Sequence, residues 1–368
     1  MSWGQKDVVA FKSNFVREFD APGANRAEVC RKYNISRETG YHTAARYNAE
    51  GVAGFTSHSS APRTHHRAVA GDVIEMVLAL RDYGERKTWA ADKIIAAWRR
   101  NSIRLKCPSR ATVTRILRAY ERSRPRPRRP YWRSTTKPPP AECSNDVMAF
   151  DGKGLWRGIS PLTVVDVFSR FLHRAEDVAI NTVNVQRICD ALFDEVELPR
   201  RIFCDGGAPF GGSGVAQLSA LSLWWIDLGI HVEHVGKPQH NGVLERLHGT
   251  LEREGSHTLE VHEALDAFRD DYNFVRPHAS LGGRVPAEVY RPKPLSRLVP
   301  LVSGFDDERQ VKRDGYFKWC GHRIFLTEVL AGRKITFRFM EPKIWLVRYK
   351  HIQLALFNDV THRLTRVP

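Results

Sequence analysis

Cysteine is scarce and scattered: six in 368 residues, with no C-x-x-C pair. That pattern excludes a disulfide framework and a zinc ribbon, and it fits a reducing cytosol. His42, His65 and His66 have no cysteines at ligand spacing beside them, which argues against a zinc-held module. No apolar run approaches the roughly 18 residues of a membrane span. The opening MSWGQKDVVAFKSNF lacks a charged start followed by an apolar core, so no secretory leader is expected and the expected location is the cytoplasm. Acidic residues are the minority, 41 against 57 basic ones, a net of +16. Hydrophobic residues make up 42%, which excludes global disorder and is ample for a sizeable core.

What the chain does have is concentrated positive charge. Residues 81–137 hold 18 Lys or Arg and four Asp or Glu, a net of +14. Nearly all of the excess therefore sits in a short stretch. Such a segment is an electrostatic footprint for a polyanion, and with no membrane motif nucleic acid is the expected partner, double-stranded DNA if the helix-turn-helix readings below hold.

The chain divides into a helical piece at 1–60, a second at 68–121, an Arg/Pro linker at 122–142, alternating strand-like and helix-like runs at 143–293, and a β-rich end at 296–368. In the first piece Ala27, Val29 and Cys30 face a core, and Asn34-Ile35 makes a turn. Ser36 caps a helix running to about Asn48, with Gly51 beyond it. Two short helices and a tight turn, the second helix bearing Arg37, Thr39, His42 and Arg46, suit a helix-turn-helix. In the second piece Val73, Ile74, Val77 and Leu78 form one helical face, and Trp89, Ile94, Ile95 and Trp98 form another. Pro108-Ser109 then opens a basic helix on which Arg110, Thr112 and Arg115 are the expected DNA contacts. The linker RSRPRPRRPYWRSTTKPPP cannot hold a helix. Its Arg124, Arg126, Arg128 and Arg129 suit a narrow minor groove.

Three acidic residues stand out in the middle of the chain. Asp151 ends the apolar run Val147–Phe150, and Asp205 ends Ile202–Cys204 and is followed by two glycines. Glu245 lies in GKPQHNGVLERLHGTLERE, where Leu244, Leu247 and Leu251 share a helical face and Glu245 points elsewhere. Three close carboxylates repel one another, and divalent cations relieve that repulsion. Hard oxygen donors select Mg2+ or Mn2+, and two such ions clamp an in-line phosphoryl displacement. Glu233, Glu252 and Glu254 compete for the third position. Lys237 and Asn241, with His240, precede the Glu245 helix and are candidate contacts to a DNA end.

Strand-Asp, FCDGGAPF, GKPQHNGVLERLHGTLERE and YNFVRPHASLGGRVPAEVY together resemble the catalytic core of the retroviral-integrase-like DDE transposases of bacterial insertion sequences. ISRETGYHTAARYNAEGVAGF and KTWAADKI with PSRATVTRIL resemble the family's helix-turn-helix regions. GHRIFLTEVLAGRKITFRFMEPKIWLVRY is similar to the small β-barrel of some members. The resemblance spans most of residues 25–290. It implies a multidomain protein with all-α helix-turn-helix modules, a central α/β RNase H-like core with a mixed sheet, and a C-terminal barrel. Strands are then expected near 145–156, 162–169, 171–178, 200–205 and 230–235. Helices are expected at 181–197, 214–228, 240–257 and 262–275.

The same resemblance implies that Asp151, Asp205 and Glu245 are the catalytic residues and ligands of two metal ions. The implied activity is 3′-end cleavage at terminal inverted repeats and strand transfer into target DNA, by at least a homodimer in a nucleoid-associated complex. Asp166 and the corner Asn273, Arg276, Pro277 and His278 are implied to be structural, with a DNA contact open for Arg276 or His278. Two departures stand out: Gly206 where the family carries Asn or Gln, and a spacer of 39 residues between Asp205 and Glu245. The competing functions are a DNA-binding regulator without catalysis and an RNase H-like nuclease.

Overall fold

The structure, a computed structural model, describes residues 8–56, 68–84, 86–122, 140–212, 214–235, 242–292 and 304–367. The chain forms two compact units, Met1–Val69 and Ala70–Pro368.

The first unit is three helices, α1 (Val8–Phe19), α2 (Arg26–Lys32) and α3 (Arg37–Glu50). The Asn25 and Ser36 side chains accept hydrogen bonds from the Glu28 and Thr39 amides, which satisfies donors that have no partner within a helix. Asn34 takes a positive φ of 53° in the tight turn, and Gly51 ends α3 at φ 61°. Phe15, Val16, Phe19, Cys30, Ala44 and Phe55 form the core, with Val29 packed against it. Gly40 lets α3 approach this core closely, since a Cβ there would stand 2.7 Å from Cys30 Sγ. Of the three residues expected inside, Cys30 is buried while Ala27 and Val29 are half-buried.

The second unit opens with α4 (Gly71–Asp82), α5 (Ala91–Arg100) and α6 (Arg110–Ala119). Of the two expected faces, Val77, Trp89, Ile94 and Trp98 are buried, while Val73, Ile74, Leu78 and Ile95 are half-buried; Leu80, Val113, Ile116 and Leu117 complete the core. Ser109 caps α6 through the Thr112 amide at 3.2 Å.

A five-stranded sheet follows: β1 (Val147–Gly152), β2 (Leu162–Asp166), β3 (Leu172–Glu176), β4 (Arg201–Asp205) and β5 (His231–Val235), ordered β3-β2-β1-β4-β5. β1 pairs antiparallel with β2 and parallel with β4, and β4 pairs parallel with β5, so the sheet is mixed. Helices α7 (Thr182–Val196) and α8 (Ala220–Asp227) supply the core on one face. Helices α9 (Gly242–Glu254) and α10 (Val261–Asp270) supply it on the other. The strand alternation decides which side chain goes where. Met148, Phe150, Ile202 and Cys204 face α7 and α8. Val147, Ala149 and Phe203 face α9 and α10.

Two helices differ from expectation. α8 begins at Ala220 rather than near 214, because Ala216 and Gln217 both have φ 53° and break the helix before Ser219 caps it. α10 stops at Asp270 and continues as one π-helical turn, Asp271–Val275. Trp225 is fully buried in α8, with Trp224 packed against the same core. The short helix α11 (Pro286–Val289) closes this part.

The C-terminal strands are β6 (Asp307–Gln310), β7 (Tyr316–Trp319), β8 (His322–Phe325), β9 (Lys334–Glu341), β10 (Ile344–Tyr349), β11 (Ile352–Asn358) and β12 (Arg363–Thr365). The expected barrel is not closed among the described residues. One ladder runs β12-β11-β10-β9-β6, and β7 and β8 pair only with each other. The hairpin packs its aromatics on the sheet instead: Phe317 lies 5.3 Å from Phe337, and Trp319 lies 4.9 Å from Phe337. This layer shares a continuous apolar core with α7 and α8. Asp227 at the end of α8 takes Tyr349 Oη at 2.6 Å and Lys350 Nζ at 2.9 Å, and pairs with Arg333. The β-rich end is thus an integral layer of the second unit.

Candidate active site

Asp151 and Asp205 meet because their strands are neighbours in register. Phe150 pairs with Cys204 across the parallel β1–β4 ladder, so the next residues, the two aspartates, stand side by side. Alternation along each strand puts both on the face shared with Ala149 and Phe203, the face that α9 covers. On α9, Leu244, Leu247 and Leu251 are fully buried against that face while Glu245 is exposed. Asp151 is half-buried and Asp205 exposed. Burial pushes the Asp151 carboxyl up to about 6, and the charges of Asp205 and Glu245 add to it. The three carboxylates therefore share one electrostatic environment.

Their chemistry suits a hard cation: three carboxylates, one of them raised by burial and like charge. Among the described residues, no three such side chains stand close enough to grip an ion as they are. The donors fit a divalent cation but are not drawn together.

Two further groups lie on this face. His248, one turn beyond Glu245, has Nε2 2.9 Å from Thr163 Oγ1, and Thr163 Oγ1 donates to the Asp151 carbonyl at 3.1 Å. Burial, and then the Lys153 charge, hold His248 neutral, its value lowered to about 4. Lys153, two residues past Asp151, is 6% exposed.

The three rivals of Glu245 have other partners. Glu233 pairs with Arg201 at 3.3 Å, and Glu252 lies 3.9 Å from Lys153. Glu254 is buried, its two oxygens held by Arg276 Nε at 2.8 Å and Nη2 at 3.0 Å. Trp89 Nε1 reaches it at 3.4 Å and Lys93 Nζ at 3.5 Å, and the Thr88 hydroxyl bonds it as well. Sequence reasoning missed this junction of α4–α6 with α9. A signal was present: Glu254 continues the stripe Leu244, Leu247, Leu251 at helical spacing, and a charge in a core register implies a buried partner.

The corner after α10 is structural. Asn273 Oδ1 and Nδ2 bond the Leu172 N–H and carbonyl at 2.8 Å each, clasping edge strand β3. Arg276 and His278 are buried, Arg276 on Glu254 and His278 against the Tyr272 carbonyl. Asp166 is buried and accepts from the Asn145 amide at 3.0 Å and the Ser169 amide at 2.8 Å.

Of the expected DNA contacts, Arg37, Thr39 and His42 are exposed on α3, while the Arg46 guanidinium bonds the Thr56 carbonyl. Arg110 pairs with Asp92 at 2.8 Å, Thr112 bonds Ser109 Oγ at 2.9 Å, and Arg115 is exposed. Arg124, Arg126, Arg128, Arg129, Lys237 and Asn241 lie outside the described residues, as do His65, His66 and His240. No helix among the described residues is long and apolar enough to cross a membrane.

The integrase core domain family matches residues 227–286, from the end of α8 into α11. The chain is 26% identical over 273 residues to the Insertion element IS476 uncharacterized 39.2 kDa protein of Xanthomonas euvesicatoria, a match covering 67% of this chain and 72% of the relative. Among solved structures it is similar to the catalytic core domain of BIV integrase, at 20% identity over 40% of this chain and 93% of that one, with a TM-score of 0.33. It is also similar to the HTLV-2 integrase catalytic core domain in complex with magnesium, at 12% identity over 41% of this chain and 99% of that one, with a TM-score of 0.33.

Proposed function

We propose that this chain, similar over residues 227–286 to the integrase core domain family and over 273 residues to an insertion-element protein, is a transposase that binds the terminal inverted repeats of its element, cleaves a phosphodiester at each 3′ end and joins the freed 3′-OH to target DNA. The observation that carries this reading is the pair Asp151 and Asp205 at adjacent strand ends, with Glu245 on the helix that covers them. Two Mg2+ or Mn2+ ions held by these three residues would supply charge stabilisation for the attacking and leaving oxygens. The chain's own part is to hold the carboxylates on one face, where a divalent cation would offset the burial and like charge that raise Asp151. Two DNA ends are handled together, so the working species is at least a dimer. The core positions 143–293 do the chemistry, and the helical pieces at 1–60 and 68–121, with the linker 122–142, grip DNA.

The test is direct. Purified protein, with labelled duplex from the DNA flanking its gene and Mg2+ or Mn2+, should give a 3′-nicked end and a joined product. Specific binding with no nick at either metal would favour the regulator. Nicking of any duplex without joining would favour a nuclease.

DNA recognition by the first unit is separable. Met1–Val69 is compact in itself, and Arg37, Thr39 and His42 are exposed along α3. The 1–69 fragment should bind the flanking duplex, weakly and with steep salt dependence, because phosphate contacts release counterions. Triple substitution of Arg37, Thr39 and His42 by Ala should remove its preference for flanking over random duplex. A folded fragment with no DNA affinity at low salt would defeat this assignment.

A further inference from the structure

We infer that Lys153 is a phosphodiester-binding residue of the active site, its ammonium positioned to take a non-bridging oxygen of the DNA strand held beside Asp151. This rests on the proposed reaction and adds to it a residue outside the carboxylate trio.

The placement follows from the strand. Ala149, Asp151 and Lys153 alternate onto one face at the end of β1, the face covered by α9. Lys153 therefore rises beside Asp151, toward the helix that carries Glu245. Its backbone is fixed there, with its amide on the Pro161 carbonyl at 3.0 Å and its carbonyl accepting from Ser160 Oγ at 2.5 Å. The side chain is 8% exposed, yet among the described residues its ion-pair partner is Glu252 alone, at 3.9 Å, and Glu252 is itself 70% exposed.

The Lys153 ammonium has three protons to donate and is not among the buried polar atoms left without a partner, so its stem is covered while its tip keeps contact with solvent. A surface carboxylate at 3.9 Å is beyond hydrogen-bond distance. An ammonium so placed can donate to a non-bridging oxygen of a phosphodiester that enters beside it. Phosphate is also the group that the carboxylates beside it would repel, so a cation on the same face offsets that repulsion at the point of approach.

The test uses the full chain. Lys153→Met keeps the buried stem and removes the charge, and Lys153→Arg keeps the charge. With metal chelated, binding to flanking duplex should show a salt slope shallower by about 0.9 in Lys153→Met, the loss of one phosphate contact. Lys153→Arg should restore the slope. With Mg2+ and saturating DNA, cleavage by Lys153→Met should fall by about 10²-fold, with much of the loss recovered in Lys153→Arg. Glu252→Gln should not reproduce the defect. An unchanged salt slope in a folded Lys153→Met protein would overturn the inference, and so would a Glu252→Gln variant with the same loss. Failure of the unaltered protein to cleave would count against the reaction itself. The salt slope would still decide the role of Lys153.

Discussion

Glu245→Gln should abolish cleavage and joining while leaving DNA binding within about twofold of the unaltered protein. The side chain keeps its shape and loses only its charge. It is exposed on α9, away from the buried leucine stripe, so the helix itself has no reason to move. A loss of three or more decades in rate is expected, about 4 kcal/mol of barrier at about 1.4 kcal/mol per decade. A second readout separates this from a packing defect. Burial raises the Asp151 carboxyl to about 6, with Asp205 and then Glu245 contributing. Asp151 is protonated below that value and ionised above it, so cation affinity in the unaltered protein should rise as pH passes through this region. Taking away the Glu245 charge should lower the Asp151 midpoint, measurable by carboxyl NMR titration without metal. Stability without metal should hold or improve, because like-charge repulsion is relieved. Strand transfer at full rate in the Gln variant, or an unmoved Asp151 midpoint, would sink the three-carboxylate site.

How much of this was legible beforehand depended on range. Local signals read well. Ser36 and Ser109 cap their helices where the sequence places them, since a cap is a contact across three residues. The short apolar runs ending in Asp151 and Asp205 read as buried strands, and the structure makes them neighbours. Asn273 and Arg276 were expected at a corner, but their grips on Leu172 and Glu254 lie far along the chain, and no periodicity reports such partners. The start of α8 was misplaced because two consecutive left-handed residues, Ala216 and Gln217, carry no Gly or Pro to announce them. The C-terminal runs read as strands, while the pairing that leaves β7 and β8 apart from the main ladder is a long-range choice. Lys153 passed unnoticed because a lysine two residues past a strand aspartate looks like solvated surface until α9 is seen to cover it.

Glu254 is where the second unit should be most easily broken. Its carboxylate is 6% exposed and is held by Arg276, itself 8% exposed, with Trp89, Lys93 and Thr88 completing the shell. Burial alone would push its protonation upward. The Arg276 hydrogen bonds and charge, then the Lys93 charge, reverse that and hold it at about 2, against an ordinary 4.5. The folded value is depressed, so this stabilisation is fully present above about 4.5 and is lost as pH falls towards 2. Glu254→Gln leaves Arg276 and Lys93 facing each other without a counter-charge. Lys93 is already lowered to about 8, by burial first and then by the Arg276 charge. Breaking one partner of a buried pair costs about 3–5 kcal/mol. Because the network joins α4–α6 to α9, amide exchange protection should fall first in α5 and in the C-terminal turn of α9, while the first unit, Met1–Val69, keeps its own. Pairing the change with Arg276→Met should recover part of the loss, since the repulsion between Arg276 and Lys93 is then gone and only the Lys93 charge remains uncompensated. A Glu254→Gln protein within about 1 kcal/mol of the original, or one whose exchange loosens evenly along the chain, would show that the helical module is held to the core by something other than this carboxylate.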